Sequence, residues 1–207
     1  MCWGLSLMAD KQIISDSNNF DDLVSRIHAC RLCELPLGPN PVVQLSMQAK
    51  ILIVGQAPGI RVHQSGVPFD DPSGDRLRRW MNIDKETFYD ASKVAILPMG
   101  FCYPGTGKSG DLAPKPLCAE TWRSEVMSSL GDVELTLVIG QYAQTWHLEL
   151  KSAETLTSVV KNWRRYDHKI MPLPHPSPRN NRWLKTNPWF EQEVIPELQS
   201  RVSRLIC

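Results

Sequence analysis

Four runs of the chain are almost continuously apolar: Ile51–Val54, 94–97, Leu135–Ile139 and Ile170–Leu173. Each is too short for a helix and reads as a strand buried on both faces. Helical spacing fills the intervals. Phe20, Leu23, Val24 and Ile27 recur at i, i+3, i+4 and i+7 after a possible cap at Asn18. Ser73 could cap a helix over 74–81 with Leu77, Trp80 and Met81 inward, and Pro116 suits the first position of a helix reaching Leu130. Leu156, Val159, Val160 and Trp163 form another stripe. Asn187-Pro188 opens a last helix that carries Phe190, Val194, Leu198, Val202 and Leu205 on one side, and Pro196 should kink or split it.

Strands alternating with helices predict an α/β fold: three αβα layers around a central four-stranded parallel sheet. The pattern predicts a loose leader over 1–17 and one domain over 18–207. In open parallel sheets, ligands bind beyond the carboxyl ends of the strands. The informative loops are therefore 55–59, 98–116, 140–142 and 174–180. The Pro/Gly-rich stretch 98–116 is too long for a simple connection and reads as functional or disordered.

Composition narrows the class. The 207 residues are 42% hydrophobic and 22% charged, which excludes a disordered chain or a fibre. The net charge of +1 supplies no global field for nucleic acid, so any such binding needs a local basic patch. No run approaches the ~20 apolar residues of a membrane span. The first residues lack the basic start of a signal peptide. Six irregularly spaced cysteines then suggest a reducing, cytoplasmic setting.

Cys30 and Cys33 form a C-x2-C pair, and Cys102 and Cys118 are separated by 15 residues. Four thiolates suit tetrahedral zinc or a [4Fe–4S] cluster; alternatively, these are small core residues and Cys30 merely ends a helix. Cys2 and Cys207 are spare.

The turn Gly55-Gln56-Ala57-Pro58-Gly59 permits close backbone approach to a ligand. Gly66-Val67-Pro68-Phe69 could set an aromatic face beside it, and His175-Pro176-Ser177 follows the last strand. The bland readings are core packing for Phe69 and a satisfied structural imidazole for His175. Together, these motifs and the four cysteines, in this order, resemble the uracil-DNA glycosylase superfamily. They are most similar to its iron–sulfur-containing family 4, and the resemblance spans about residues 28–200.

That resemblance implies an enzyme that flips a deaminated base, uracil foremost, out of DNA and hydrolyses its N-glycosidic bond. It implies a [4Fe–4S] cluster on Cys30, Cys33, Cys102 and Cys118, with structural zinc as the alternative. Phe69 would stack on the base, backbone groups of Gly55, Gln56 and Ala57 would meet its edges, and Ser177 would bind a phosphate. His175 would stabilise the charge that develops on the departing base. The chain departs from the family pattern at three places. Gln56 stands where family 4 has Glu, and Ala57 where relatives place a water-activating Asp or Asn. Pro98 stands where family 4 has the asparagine that recognises uracil. His63, Asp70 and Asp71 are the nearby substitutes for the missing base, and Tyr103 and Gln141 the substitutes for the missing reader. A catalytically silent DNA-binding module that keeps the fold is the alternative function.

Seven basic residues lie between 161 and 185 with one acid, Asp167, and with Trp163, Tyr166 and Trp183 interleaved. Within this stretch Arg179, Arg182 and Lys185 follow the His175 motif, where relatives insert a wedge into DNA. Arg179, Trp183 and Leu184 are the wedge candidates. Arg76, Arg78 and Arg79 form a weaker patch. The segment Gly105-Thr106-Gly107-Lys108-Ser109 imitates a phosphate-binding P-loop, but Cys102 occupies a required glycine position and prolines follow. It reads as a flexible loop between two cysteine ligands. The expected partner is DNA with a damaged or deaminated base, met by a monomer away from any membrane.

Overall fold

The computed structural model describes residues 3–108, 110–150 and 153–206, with side chains from residue 16 onward. Cys2, Cys207 and Ser109 of the P-loop-like segment lie outside these residues. In chain order the elements are α1 (Trp3–His28), β1 (Ile51–Val54), α2 (Ile60–Ser65), α3 (Pro72–Met81), α4 (Lys85–Tyr89) and β2 (Val94–Ile96). A small hairpin of β3 (Thr106–Gly107) and β4 (Gly110–Asp111) follows. Then come α5 (Pro116–Ser129), β5 (Leu135–Ile139), α6 (Gly140–His147), α7 (Leu156–Lys161), β6 (Ile170–Leu173), α8 (Asn181–Thr186) and α9 (Ile195–Ile206).

The main sheet has four parallel strands in the order β2-β1-β5-β6. Its strands are apolar except for Thr136 of β5 because each face is covered by a helical layer. Ile51 and Ile53 point to one layer, with Leu77, Phe88, Val160 and Leu198. Leu52 and Val54 point to the other, with Leu23, Ile27, Trp122 and Val126. This is the alternation a pleated strand imposes, with both faces dry. Pro172, which lacks an N–H, is tolerated because β6 is an edge strand.

Several boundaries differ from the sequence pattern. Helix α1 begins at Trp3, so the stretch expected as a leader is helical and Asn18 lies inside the helix rather than capping it. The cap of α3 is Asp71, whose carboxylate accepts from the Gly74 N–H at 2.9 Å, and Pro72 takes the first position. Ser73 is inside the helix. Pro196 does split the last helix: a π turn over Phe190–Val194 precedes α9. The stretch 98–116 is neither a bare connection nor wholly irregular, since it contains the β3–β4 hairpin.

Candidate functional site

The strand order reverses between β1 and β5, and ligands bind at such a switch point. A cleft of about 490 Å³ lies at the carboxyl edge of the sheet. Its walls come from the 55–59 turn after β1, Phe69, Pro98 after β2, Asp111 of β4 and the 175–180 segment after β6. The size is that of a small-molecule site. The turn is fixed by its carbonyls: Gly55 O accepts from the Met99 N–H and Gln56 O from the Gly100 N–H, both at 2.9 Å. Gln56 packs its side chain over Gly140, where a Cβ would stand 2.6 Å from Gln56 Nε2.

Phe69 stands in this cleft with a left-handed backbone, φ +56°. Bulky residues adopt that conformation only where their surroundings hold it. Gly74 supplies the hold: a Cβ there would sit 1.8 Å from the Phe69 carbonyl oxygen, so the first turn of α3 closes directly on it. The ring meets Phe88 edge-on at 6.1 Å and lies beside Gly55.

His175 is half-buried in the same cleft. The Ser177 N–H donates to its Nδ1 at 3.2 Å, so in the neutral imidazole the proton sits on Nε2. Burial pushes its pKa down; Asp71 and then Asp111 oppose this through their charge. Asn180 donates from its side chain to the His175 carbonyl at 2.7 Å, and Ser177 Oγ accepts from the Arg179 N–H. Arg76 clamps the segment from α3, donating to Ser177 O at 3.1 Å and to Asn181 Oδ1 at 2.7 Å. Arg76 stood in the weaker basic patch, and its positioning role was not visible there.

Gly55, Gln56, Ala57, Phe69, His175, Ser177 and Arg179 all line the cleft, whereas His63 and Asp70 do not. The His63 ring faces Tyr103 at 6.1 Å, and its backbone carbonyl accepts from Asn40. The left-handed turn at Phe69 leaves Asp70 exposed, with its charge toward Tyr89. The carboxylates that do line the cleft are Asp71 and Asp111. Pro98 is a wall residue, while Tyr103 and Gln141 lie outside the lining. Behind Pro98 is Arg123, fully buried, which donates to the carbonyls of Pro98 and Leu97 and contacts His147 Nε2 at 2.9 Å. Burial pulls the Arg123 pKa down to about 10, and burial beside Arg123 pulls that of His147 down to about 3. A buried arginine contradicts the usual partition of charge, and nothing in the sequence marks it.

The 161–185 stretch is divided. Arg164 pairs with Glu193 at 3.2 Å and Arg165 with Glu154, and both line a hollow of their own with Lys161. Trp183 donates to Thr157 and packs with Leu184, both half-buried, against the core. Arg179, Arg182 and Lys185 are exposed. Arg179 reaches the hairpin: a Cβ on Gly110 would lie 2.0 Å from its Nη1.

Cys30, Cys33, Cys102 and Cys118 line one small, mostly apolar cavity formed by the 30–41 segment after α1, by residues 100–102 and by the start of α5. Burial pushes the thiols of Cys102 and Cys118 up to about 11 and about 12. Among the described residues no three His, Cys, Asp or Glu gather closely enough for a single metal ion. Four thiols lining one cavity are the donor set that tetrahedral zinc and a [4Fe–4S] cluster share.

Fold and cleft together define an open-sheet α/β protein with a cleft at the topological switch. The family model for the uracil DNA glycosylase superfamily matches residues 42–199. The chain belongs to that superfamily, whose members are glycosylases acting on DNA. No helix of the described residues is long and apolar enough to cross a membrane.

Proposed function

We propose that this chain is a DNA glycosylase that extrudes a deaminated base, with uracil as its first candidate substrate, and hydrolyses the N-glycosidic bond. The observation that carries the reading is that Phe69 and His175 face one cleft, with the imidazole proton on the nitrogen that is free to donate. A flipped base stacks on Phe69, at an unstacking cost of a few kcal/mol. As the bond to the sugar breaks, negative charge grows on the base carbonyl. His175 donates from Nε2 to that oxygen, and a preorganised neutral donor needs no proton transfer. Ser177, with Arg179, Arg182 and Lys185, holds the phosphates beside the lesion.

Cys30, Cys33, Cys102 and Cys118 hold a [4Fe–4S] cluster in this reading. Such a cluster can carry electrons; here its thiolate ligands tie the end of α1 and the 98–116 segment to the domain. Bond cleavage proceeds without it.

The test is an oligonucleotide carrying one deoxyuridine. Alkali-labile scission that disappears in His175→Ala supports the reading. Pro98, which offers no side-chain donor or acceptor, favours a second reading: a DNA-binding module without catalysis. Absence of scission on uracil, hypoxanthine and xanthine substrates would establish that second reading.

A further inference from the structure

We infer that Asp111, brought to the cleft by the β3–β4 hairpin, is the base that activates the attacking water. This rests on the glycosylase reading above. The 55–59 turn contains no carboxylate, and Ala57 occupies the position where a water-activating side chain was expected. Two carboxylates line the cleft. Asp71 is committed to the Gly74 N–H as the cap of α3. Asp111 has no side-chain hydrogen bond or ion pair among the described residues, and its Oδ2 lies 3.7 Å from where a Cβ on Gly59 would stand. It therefore overhangs the turn that cradles the ligand, within electrostatic reach of His175.

The hairpin that carries Asp111 is anchored. Thr106 pairs with Asp111 across it, and the Leu112 N–H donates to Gly105 O at 2.8 Å. Thr106 Oγ1 is bonded to the Tyr103 hydroxyl. Gly110, at φ +134°, leaves space that the Arg179 guanidinium occupies. The segment that imitates a P-loop in sequence thus serves to deliver a carboxylate.

In the step itself, water oxygen bonds to C1′ of the sugar while the C1′–N bond breaks, its electron pair leaving with the base. One water proton passes to the Asp111 carboxylate and on to solvent. The base anion, held by His175, takes a proton from solvent. The products are the free base and an abasic site.

Single-turnover excision of deoxyuridine, with DNA affinity read in parallel by fluorescence anisotropy, tests this. Asp111→Asn is expected to slow excision by roughly 10²-fold or more, with affinity and melting temperature unchanged. In Asp111→Ala, added formate should restore part of the rate. If Asp111→Asn excises at the wild-type rate while His175→Ala does not, the assignment to Asp111 is wrong and the glycosylase reading stands. Loss of DNA affinity in Asp111→Asn equal to its loss of rate, or no rescue by formate, would make the residue structural and also overturn the assignment. A wild-type chain that excises no base overturns both.

Discussion

The Ser177 backbone N–H donates to Nδ1 of His175 across 3.2 Å, and this one bond leaves the proton of the neutral imidazole on Nε2. His175→Ala is therefore expected to lower single-turnover excision by roughly 10²- to 10³-fold, the usual loss of an oxyanion donor. Burial holds the His175 pKa below its ordinary value, so any change of rate caused by its titration should be centred below about pH 6.5. An imidazole titration of the rate centred at or above that pH would contradict the neutral-donor role.

Gly74→Ala should unfold the protein more readily than an ordinary helical substitution. Its Cβ would meet backbone, not a flexible side chain, at 1.8 Å, so either α3 or Phe69 must move. The expected loss is about 2–4 kcal/mol in urea denaturation, against the gain of about 0.4–1 kcal/mol for Gly→Ala at an open helical site.

His147 makes acid stability measurable. Its pKa is about 3 in the folded chain and near 6.5 when unfolded. The unfolded state therefore binds a proton that the folded state refuses, and stability falls as pH drops through that window, by at most about 1.4 kcal/mol per pH unit. His147→Gln keeps an acceptor for Arg123 and removes the titration. Its unfolding free energy should decline less steeply below about pH 6.5 than that of the wild type.

Salt dependence separates the basic residues. Arg179 is exposed at the cleft, whereas Arg164 is already paired with Glu193. Arg179→Ala should reduce the slope of log affinity against log salt by about 0.7–0.9, and Arg164→Ala should leave it nearly unchanged. Equal slopes for all three proteins would remove Arg179 from the DNA contact.

Protein purified without oxygen should be brown, with an absorbance band near ~400 nm that Cys118→Ser abolishes. A colourless protein containing stoichiometric zinc would replace the cluster with the alternative metal, since zinc has no such band.

The strands were legible because burial on both faces writes an uninterrupted apolar run, as at Ile51–Val54, that no exposed element imitates. The short helices α2, α4, α6 and α8 were not, since one or two turns repeat too few positions to show a period. His175 and the 55–59 turn are legible as motifs at strand ends, and Phe69, between α2 and α3, through the Gly66–Phe69 motif. Asp70 and His63 are near the motifs along the chain yet outside the cleft lining, because Asp70 follows the left-handed turn at Phe69 and the His63 ring, in α2, faces Tyr103. Asp111 depends on a hairpin of two-residue strands, and Arg123 on its complete burial; both are products of tertiary structure with no local signature.

One wall of the groove, the 175–180 segment, is held opposite the 55–59 turn only through the pairing of β6 with β5 and of β5 with β1. A substitution that unpairs the edge strand β6 should therefore open the groove on that side while the 55–59 turn and Phe69, carried by other elements, keep their places.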